Sequence, residues 1–216
     1  MKVKVLANIL GANDRVAGEN RRMFDDNGVF VINLMSSPGA GKTTLLENTL
    51  GALKDKFKIG VIEGDVATTA DAERIEKMGV PVVQINTGSA CHLDGSMIRD
   101  ALDEFDLKSL DMLIIENVGN LVCPAEFNLG EDHKVMVLST TEGDDKPLKY
   151  PLMFRESSAL IINKTDLIPY TNFNMEKAVC DSLSINPGLM VFPLSCRTGE
   201  GLDGWYGWLE SHLRKG

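Results

Sequence analysis

The sequence predicts an α/β protein with a mainly parallel sheet flanked by helices. Three observations lead there. Apolar, β-branched runs recur at residues 29–35, 57–62, 80–85, 112–115, 135–138, 159–162 and 189–193 and read as seven strands. Segments with helical periodicity lie between most of them. The runs are apolar throughout rather than alternating, as in strands covered by helices on both faces.

Taken in order, residues 13–24 carry Val16, Met23 and Phe24 among many polar groups, which predicts an exposed N-terminal helix packed on the domain edge. Residues 1–28 are therefore read as a helical appendage and 29–216 as a single domain. Helical periodicity then recurs at 44–53, 70–78, 97–105, 175–183 and 202–213, with Thr68 and Thr69 available to cap the second of these. There is no repeat at solenoid periods, no low-complexity tract and no Pro/Gly linker long enough to divide the chain.

Composition excludes several classes. The chain has 216 residues, 44% of them hydrophobic and 25% charged, which is globular rather than disordered or fibrous. No apolar run approaches the roughly 20 residues of a membrane-spanning helix, and the first residues lack a signal-peptide core with a cleavage site, so a cytoplasmic location is expected. With 31 acidic against 22 basic residues the net charge is −9, which disfavours nucleic acid and anionic membrane as partners. Four cysteines in a chain of this kind suit buried thiols, metal ligands or catalytic groups better than a disulfide framework.

The first strand runs into Ser36-Ser37-Pro38-Gly39-Ala40-Gly41-Lys42-Thr43-Thr44, and a helix follows at once. This is the context of a P-loop. Small residues at Gly39, Ala40 and Gly41 let backbone N–H groups turn around phosphates, Lys42 reaches the β/γ-phosphates, and the Thr43 hydroxyl suits Mg²⁺. Thr44 continues into the helix whose dipole favours the anion. Ser36 replaces the usual first glycine of the motif.

Asn163-Lys164-Thr165-Asp166 follows the sixth strand, at the carboxyl edge where open α/β sheets bind ligands. A carboxylate at Asp166 accepts from both the N1–H and the exocyclic amine of guanine, a pair adenine does not present, which selects GTP and GDP over ATP. Alone, the same tetrapeptide also reads as a helix-capping loop; the upstream P-loop favours the nucleotide. Ser195-Cys196-Arg197, after the last strand, is placed for backbone contacts to the guanine O6. Asp65 and Glu116 end the second and fourth strands, where acidic groups hold the hydration shell of Mg²⁺ and orient an attacking water. Lys42, Asp65 and Glu116 are the candidate catalytic groups. The D-x-x-G of Ras-like GTPases is absent and no glutamine or arginine finger is evident, so slow hydrolysis is expected.

Cys91-His92 lies after the third strand and Cys123 seven residues beyond Glu116. Thiolate and imidazole suit Zn²⁺ or Ni²⁺ and not Mg²⁺. Adjacent side chains in extended backbone diverge, so Cys91 and His92 need a turned loop, or serve two ions or two subunits. Spacing alone also fits two buried thiols and a histidine that packs or caps the helix near Asp94. Cys180, Cys196, His133 and His212 are set aside, the histidines as surface residues, and Lys146 and Lys149 are left out of the site.

On Ser36-Ser-Pro-Gly-Ala-Gly-Lys-Thr-Thr44, Glu63-Gly-Asp65, Gly88-Ser-Ala-Cys-His-Leu93, Glu116-Asn-Val-Gly-Asn-Leu-Val-Cys-Pro124 and Asn163-Lys-Thr-Asp166, the chain resembles the nickel-inserting GTPases of hydrogenase maturation, the HypB family. The resemblance spans nearly the whole chain. It implies a P-loop NTPase of the SIMIBI class of GTPases, which dimerise with their nucleotides near the interface. It also implies Ni²⁺ or Zn²⁺ at Cys91, His92 and Cys123, a GTP-dependent homodimer, a nickel-donor or co-chaperone protein, and a [NiFe]-hydrogenase large-subunit precursor as recipient. Coupling of Glu116 to Cys123 through residues 117–122 is the expected route from nucleotide to metal. A cysteine-rich N-terminal motif and a histidine-rich stretch, found in some members, are missing here, so metal storage is not expected. The alternatives are a urease-type nickel-delivery GTPase, whose metal motif is Cys-Pro-His, a non-catalytic scaffold that uses GTP only to dimerise, and a regulatory GTPase with incidental cysteines.

Overall fold

Seven strands form one sheet of order β3-β2-β4-β1-β5-β6-β7 in which every neighbouring pair is parallel. The computed structural model describes residues 9–65, 70–88 and 90–213; residues 1–8 of the expected appendage, the caps Thr68 and Thr69, and Ser89 lie outside them. The strands are β1 (Phe30–Ser36), β2 (Ile59–Asp65), β3 (Val82–Asn86), β4 (Met112–Glu116), β5 (His133–Ser139), β6 (Ala159–Asn163) and β7 (Met190–Pro193). All of β4 and β6 is buried, as their unbroken apolar sequences require. The second strand begins at Ile59 rather than at 57 and runs on to Asp65, because Glu63, Gly64 and Asp65 keep pairing with β3.

The helices are α1 (Ile9–Asn27), α2 (Lys42–Leu53), α3 (Ala70–Glu76), α4 (Gly95–Leu102), α5 (Cys123–Glu126), α6 (Lys146–Lys149), α7 (Pro151–Glu156), α8 (Met175–Ile185) and α9 (Leu202–Leu213). The expected helix at 97–105 starts and stops earlier: the Asp94 carboxylate accepts from the Ser96 and Met97 N–H groups and sets its first turn. The short helices α5, α6 and α7 and the 3-10 turns Leu107–Ser109 and Thr165–Tyr170 have too few residues to show a period in sequence.

One face of the sheet is covered by α2, α3 and α9, where Leu45, Leu46, Leu50, Ile75, Trp205 and Leu209 pack on Val61, Ile114 and Val137. Two apolar clusters cover the other, one built with α1 and α4, the other with α7 and α8. Each fully buried Leu, Ile or Phe contributes about 1.5–3 kcal/mol. Helix α1 reaches further in than an exposed edge helix does. Ala17, Asn20 and Phe24 lie on one stripe and are fully buried, and the Asn20 amide donates to the carbonyls of Gly95 and Leu129 at 2.9 and 3.1 Å. Gly130, at φ +97°, lets that loop approach α1; a Cβ there would lie 2.8 Å from the Ala17 carbonyl.

His133 and His212, expected at the surface, are half-buried in a cluster with Phe30 and Trp208. The start of β5 and the end of α9 bring them within 4.8 Å, centroid to centroid. No helix among the described residues is long and apolar enough to cross a membrane.

Candidate nucleotide and metal site

The P-loop lies at the carboxyl end of the central strand β1, with β4 on one side and β5 on the other, where the order of strands reverses. Gly39 and Gly41 have φ of +76° and +102°. At Gly41 the requirement is double, because a Cβ would also come within 2.5 Å of the Asn163 amide nitrogen. Lys42 and Thr43 open α2 and are nearly buried, each 9% exposed. The Lys42 ammonium donates to Ser36 Oγ at 2.9 Å, so the serine in place of the usual glycine supplies an acceptor for the loop lysine.

The loop is braced from β6. Asn163 donates to the Ala40 carbonyl at 2.9 Å, while its oxygen accepts from the N–H groups of Lys164 and Cys196. Lys164, held at φ +64°, donates to the Gly39 carbonyl at 2.7 Å. The Ser195 hydroxyl donates to Asp166 Oδ1 at 2.6 Å and orients that carboxylate. Asp166 and Cys196 are half-buried beside the loop, and burial pushes the Cys196 thiol up to about 11, which disfavours its thiolate form. The Arg197 side chain is exposed. Lys146 and Lys149 pair with Asp145 at 2.8 and 2.5 Å.

A cleft of about 530 Å³ opens over the P-loop, and its acidic wall holds Glu63, Asp65, Asp71 and Glu116. Thr43 Oγ1 donates to Glu116 Oε1 at 2.8 Å. Glu116 Oε2 and Glu63 Oε2 are buried with no hydrogen-bond partner among the described residues. Burial raises both carboxyls above the usual range; the charge of Glu116 adds to the rise at Glu63, and Lys42 and the Thr43 hydroxyl restrain it at Glu116. Orphaned carboxylate oxygens beside a threonine hydroxyl are a donor set suited to a hard divalent cation such as Mg²⁺. Sequence reasoning found Asp65 and Glu116 and missed Glu63, Asp71 and Arg74, which line the same cleft. Glu63 shares strand parity with Asp65 and was legible on that ground. Arg74, bonded to Glu47 at 3.0 and 2.6 Å and to Asp71 at 2.9 Å, was not, since no spacing links it to the P-loop helix.

The ligand atoms of Cys91, His92 and Cys123 all lie within 4.8 Å of one another. Cys91 Sγ is 3.2 Å from Cys123 Sγ and 3.7 Å from His92 Nδ1. A turned loop after β3 brings the adjacent pair to one side, and Asp94 rather than His92 caps α4. The His92 ring packs on Phe127 with centroids 3.9 Å apart, and its burial lowers the imidazole pKa, which favours the neutral, ligating form. The hydrogen bond to Cys91 raises the Cys123 thiol. The three open to solvent at the rim: Cys91 is exposed, the others half-buried.

Two asparagines join this cluster to the nucleotide cleft. Asn117, 1% exposed and next to Glu116, accepts from the Leu93 N–H at 3.1 Å and donates to Asn33 Oδ1 at 3.2 Å. Asn120 donates to the Cys91 carbonyl at 3.3 Å and accepts from the Val122 N–H at 2.8 Å. Between them, Gly119 packs against Pro38 of the P-loop so closely that a Cβ would lie 3.0 Å from it.

The parallel sheet, the P-loop on its central strand and the Asn163 to Asp166 brace define a P-loop NTPase with a GTPase-type fold. The model of the CobW/HypB/UreG nucleotide-binding domain family matches residues 30–193. The chain belongs to that family and, within it, to the HypB hydrogenase maturation factors. It is 51% identical over 208 residues to the hydrogenase maturation factor HypB of Rhizobium leguminosarum bv. viciae, covering 96% of this chain and 70% of that one. It is 46% identical over 217 residues to the hydrogenase/urease maturation factor HypB of Helicobacter pylori, covering 99% and 89%. The crystal structure of HypB from Helicobacter pylori in complex with nickel superposes with a TM-score of 0.88 at 44% identity, covering 94% of this chain and 96% of that one.

Proposed function

We propose that the protein is a GTP-hydrolysing metallochaperone that carries Ni²⁺, or Zn²⁺, on Cys91, His92 and Cys123 and assists nickel insertion into a [NiFe]-hydrogenase precursor. The observation that carries this reading is the wiring of the thiol and imidazole cluster to the nucleotide cleft by Asn117 and Asn120. A protein that only stored metal has no need of the link. The nickel in the Helicobacter pylori structure supports the choice of cargo. Two thiolates and one imidazole leave a tetrahedral site one ligand short, which suits release to a recipient better than permanent storage. The urease in the name of the Helicobacter pylori relative favours, as a second reading, a urease precursor as an additional recipient.

On the nucleotide side, Gly39 to Thr44 enclose the phosphates, Lys42 balances their charge, and Asp166, oriented by Ser195, reads the guanine. Thr43, Asp65 and Glu116 hold Mg²⁺, which when bound neutralises the charge that develops on the phosphates. Asp65 and Glu116 orient water at the cleft wall. Replacement of the Thr43 to Glu116 hydrogen bond in the GTP state shifts Glu116, and Asn117 passes that shift to Leu93 and the adjoining ligands. The working unit is a cytoplasmic, GTP-dependent homodimer supplied by a nickel-donor or co-chaperone protein. A coupling of about 1–3 kcal/mol between nucleotide and metal is enough for this cycle.

The test is a Ni²⁺ titration of the wild type and Cys123→Ala, each with GDP or a non-hydrolysable GTP analogue, with oligomeric state and phosphate release recorded in parallel. Wild-type binding that changes with nucleotide and is lost in Cys123→Ala is the expected result. Equal nickel affinity in both nucleotide states sinks the coupling. Binding without phosphate release over long incubation leaves a GTP-dependent scaffold, not an enzyme.

A further inference from the structure

Glu63 and Glu116 are direct neighbours across the parallel pair β2 and β4. Both project to the face covered by α2, as do Ile59, Val61, Met112 and Ile114 of the same parity, which pack on Leu45, Leu46 and Leu50. Only 4% of Glu63 and 3% of Glu116 is exposed. Two carboxylates side by side in such a place are costly, and a well-packed apolar pair is usually the more stable choice. The Thr43 hydroxyl satisfies one oxygen of Glu116; among the described residues, Oε2 of each glutamate remains without a partner at the cleft wall. Lys42 is directed to Ser36 and bonds to neither. Of the other cations lining the cleft among the described residues, Arg74 is engaged by Glu47 and Asp71, and Lys164 donates to the Gly39 carbonyl. Among the described residues, then, no cation or donor meets these two oxygens, and they are free to take positive charge or hydrogen donors that arrive with a ligand.

We infer that Glu63 is a positioning residue for the divalent cation that accompanies the nucleotide, an acceptor of hydrogen bonds from cation-bound water that works beside Glu116. Mg²⁺ keeps several waters and takes few direct protein ligands, so the carboxylates around it serve largely by holding those waters in place. Glu63 lies two residues before Asp65 on the same face of β2, which places three carboxylates, Glu63, Asp65 and Glu116, along one wall. This arrangement also answers the electrostatics of the cleft, where a polyphosphate has to approach an acidic wall. The inference rests on the nucleotide reading above and is independent of nickel.

The experiment measures binding of a fluorescent GDP analogue to the full chain as Mg²⁺ is titrated, in the wild type, Glu63→Gln and Glu63→Asp, with thermal midpoints of the apo proteins alongside. The Mg²⁺ concentration at half effect is expected to rise by about 10- to 100-fold in Glu63→Gln, the usual loss when an outer-shell partner is removed. Glu63→Asp, charged but one methylene shorter, is expected to fall between. The apo thermal midpoint of Glu63→Gln is expected to hold or rise, because the amide replaces a buried carboxyl that ionises only at a cost. Should Glu63→Gln fail to fold, Glu63→Asp carries the same test. An unchanged Mg²⁺ midpoint in the folded variants overturns the inference and leaves Glu63 a structural residue. If the wild type itself fails to bind the GDP analogue, the nucleotide reading falls and takes this inference with it.

Discussion

Asn163 and Asp166 stand three residues apart in one motif and do different jobs. Asn163 is a brace, holding Ala40 of the P-loop and the Cys196 N–H on one amide. Asp166, its carboxylate fixed by Ser195, is the proposed base reader. Guanine offers two donors to that carboxylate, and an amide in its place sets a donor against one of them. Asp166→Asn is therefore expected to weaken guanine nucleotide binding by about a hundredfold or more and to favour xanthine, whose O2 accepts where guanine donates. Fluorescent guanine and xanthine nucleotides measure this directly; equal losses for both bases would mean that Asp166 only caps its turn. The role proposed for Asp166 comes from its residue type. That of Asn163 does not, because its partner Ala40 is 123 residues away. Glu63 falls between, visible by parity but silent about its neighbour on β4.

Helix α1 tests how far a pattern of apolar residues reveals depth. Val16, Met23 and Phe24 predicted the helix, while the burial of Asn20 depends on carbonyls of Gly95 and Leu129 that no local pattern announces. Phe24 is fully buried among Leu93, Ile98 and Leu129. Phe24→Ala is expected to cost about 3–5 kcal/mol, read as a shift in urea midpoint at unchanged slope. A loss below about 1 kcal/mol would place α1 at the edge after all. Helix α5 is the opposite case: four residues carry no period, yet its first residue is the candidate ligand Cys123. The chemistry of Cys123 was visible where its element was not.

At the scale of the whole molecule, the cluster that ties α9 to the amino ends of β1 and β5 is expected to contribute to acid sensitivity. Burial lowers the pKa of His133, and the nearby His212 lowers it further, against the pull of Asp132. Phe30, Trp208 and Ser158 are the other groups against its ring. A folded pKa below the unfolded value means that protonation favours unfolding. The contribution is complete above the unfolded value of about 6.5 and is lost as pH falls through it toward the lower folded value. Urea unfolding at about pH 7.5 and pH 5 is expected to show a smaller acid loss in His133→Phe, which keeps the ring and cannot take up the charge. An identical loss in both proteins would assign the acid sensitivity elsewhere.

The sequence by itself determined the α/β class and the P-loop, and it supplied Asp166 as the candidate guanine reader and Cys91, His92 and Cys123 as candidate soft ligands, because each follows from residue type or spacing along a short stretch. Strand order, the entry of Asn163 into the P-loop, the pairing of Glu63 with Glu116 and the convergence of Cys91 and His92 with Cys123 were decided only by the tertiary structure. The physical reason is distance along the chain. Periodicity records which side of an element is apolar, but a contact between residues on different elements depends on how several loops close at once, and that information is spread over the whole sequence.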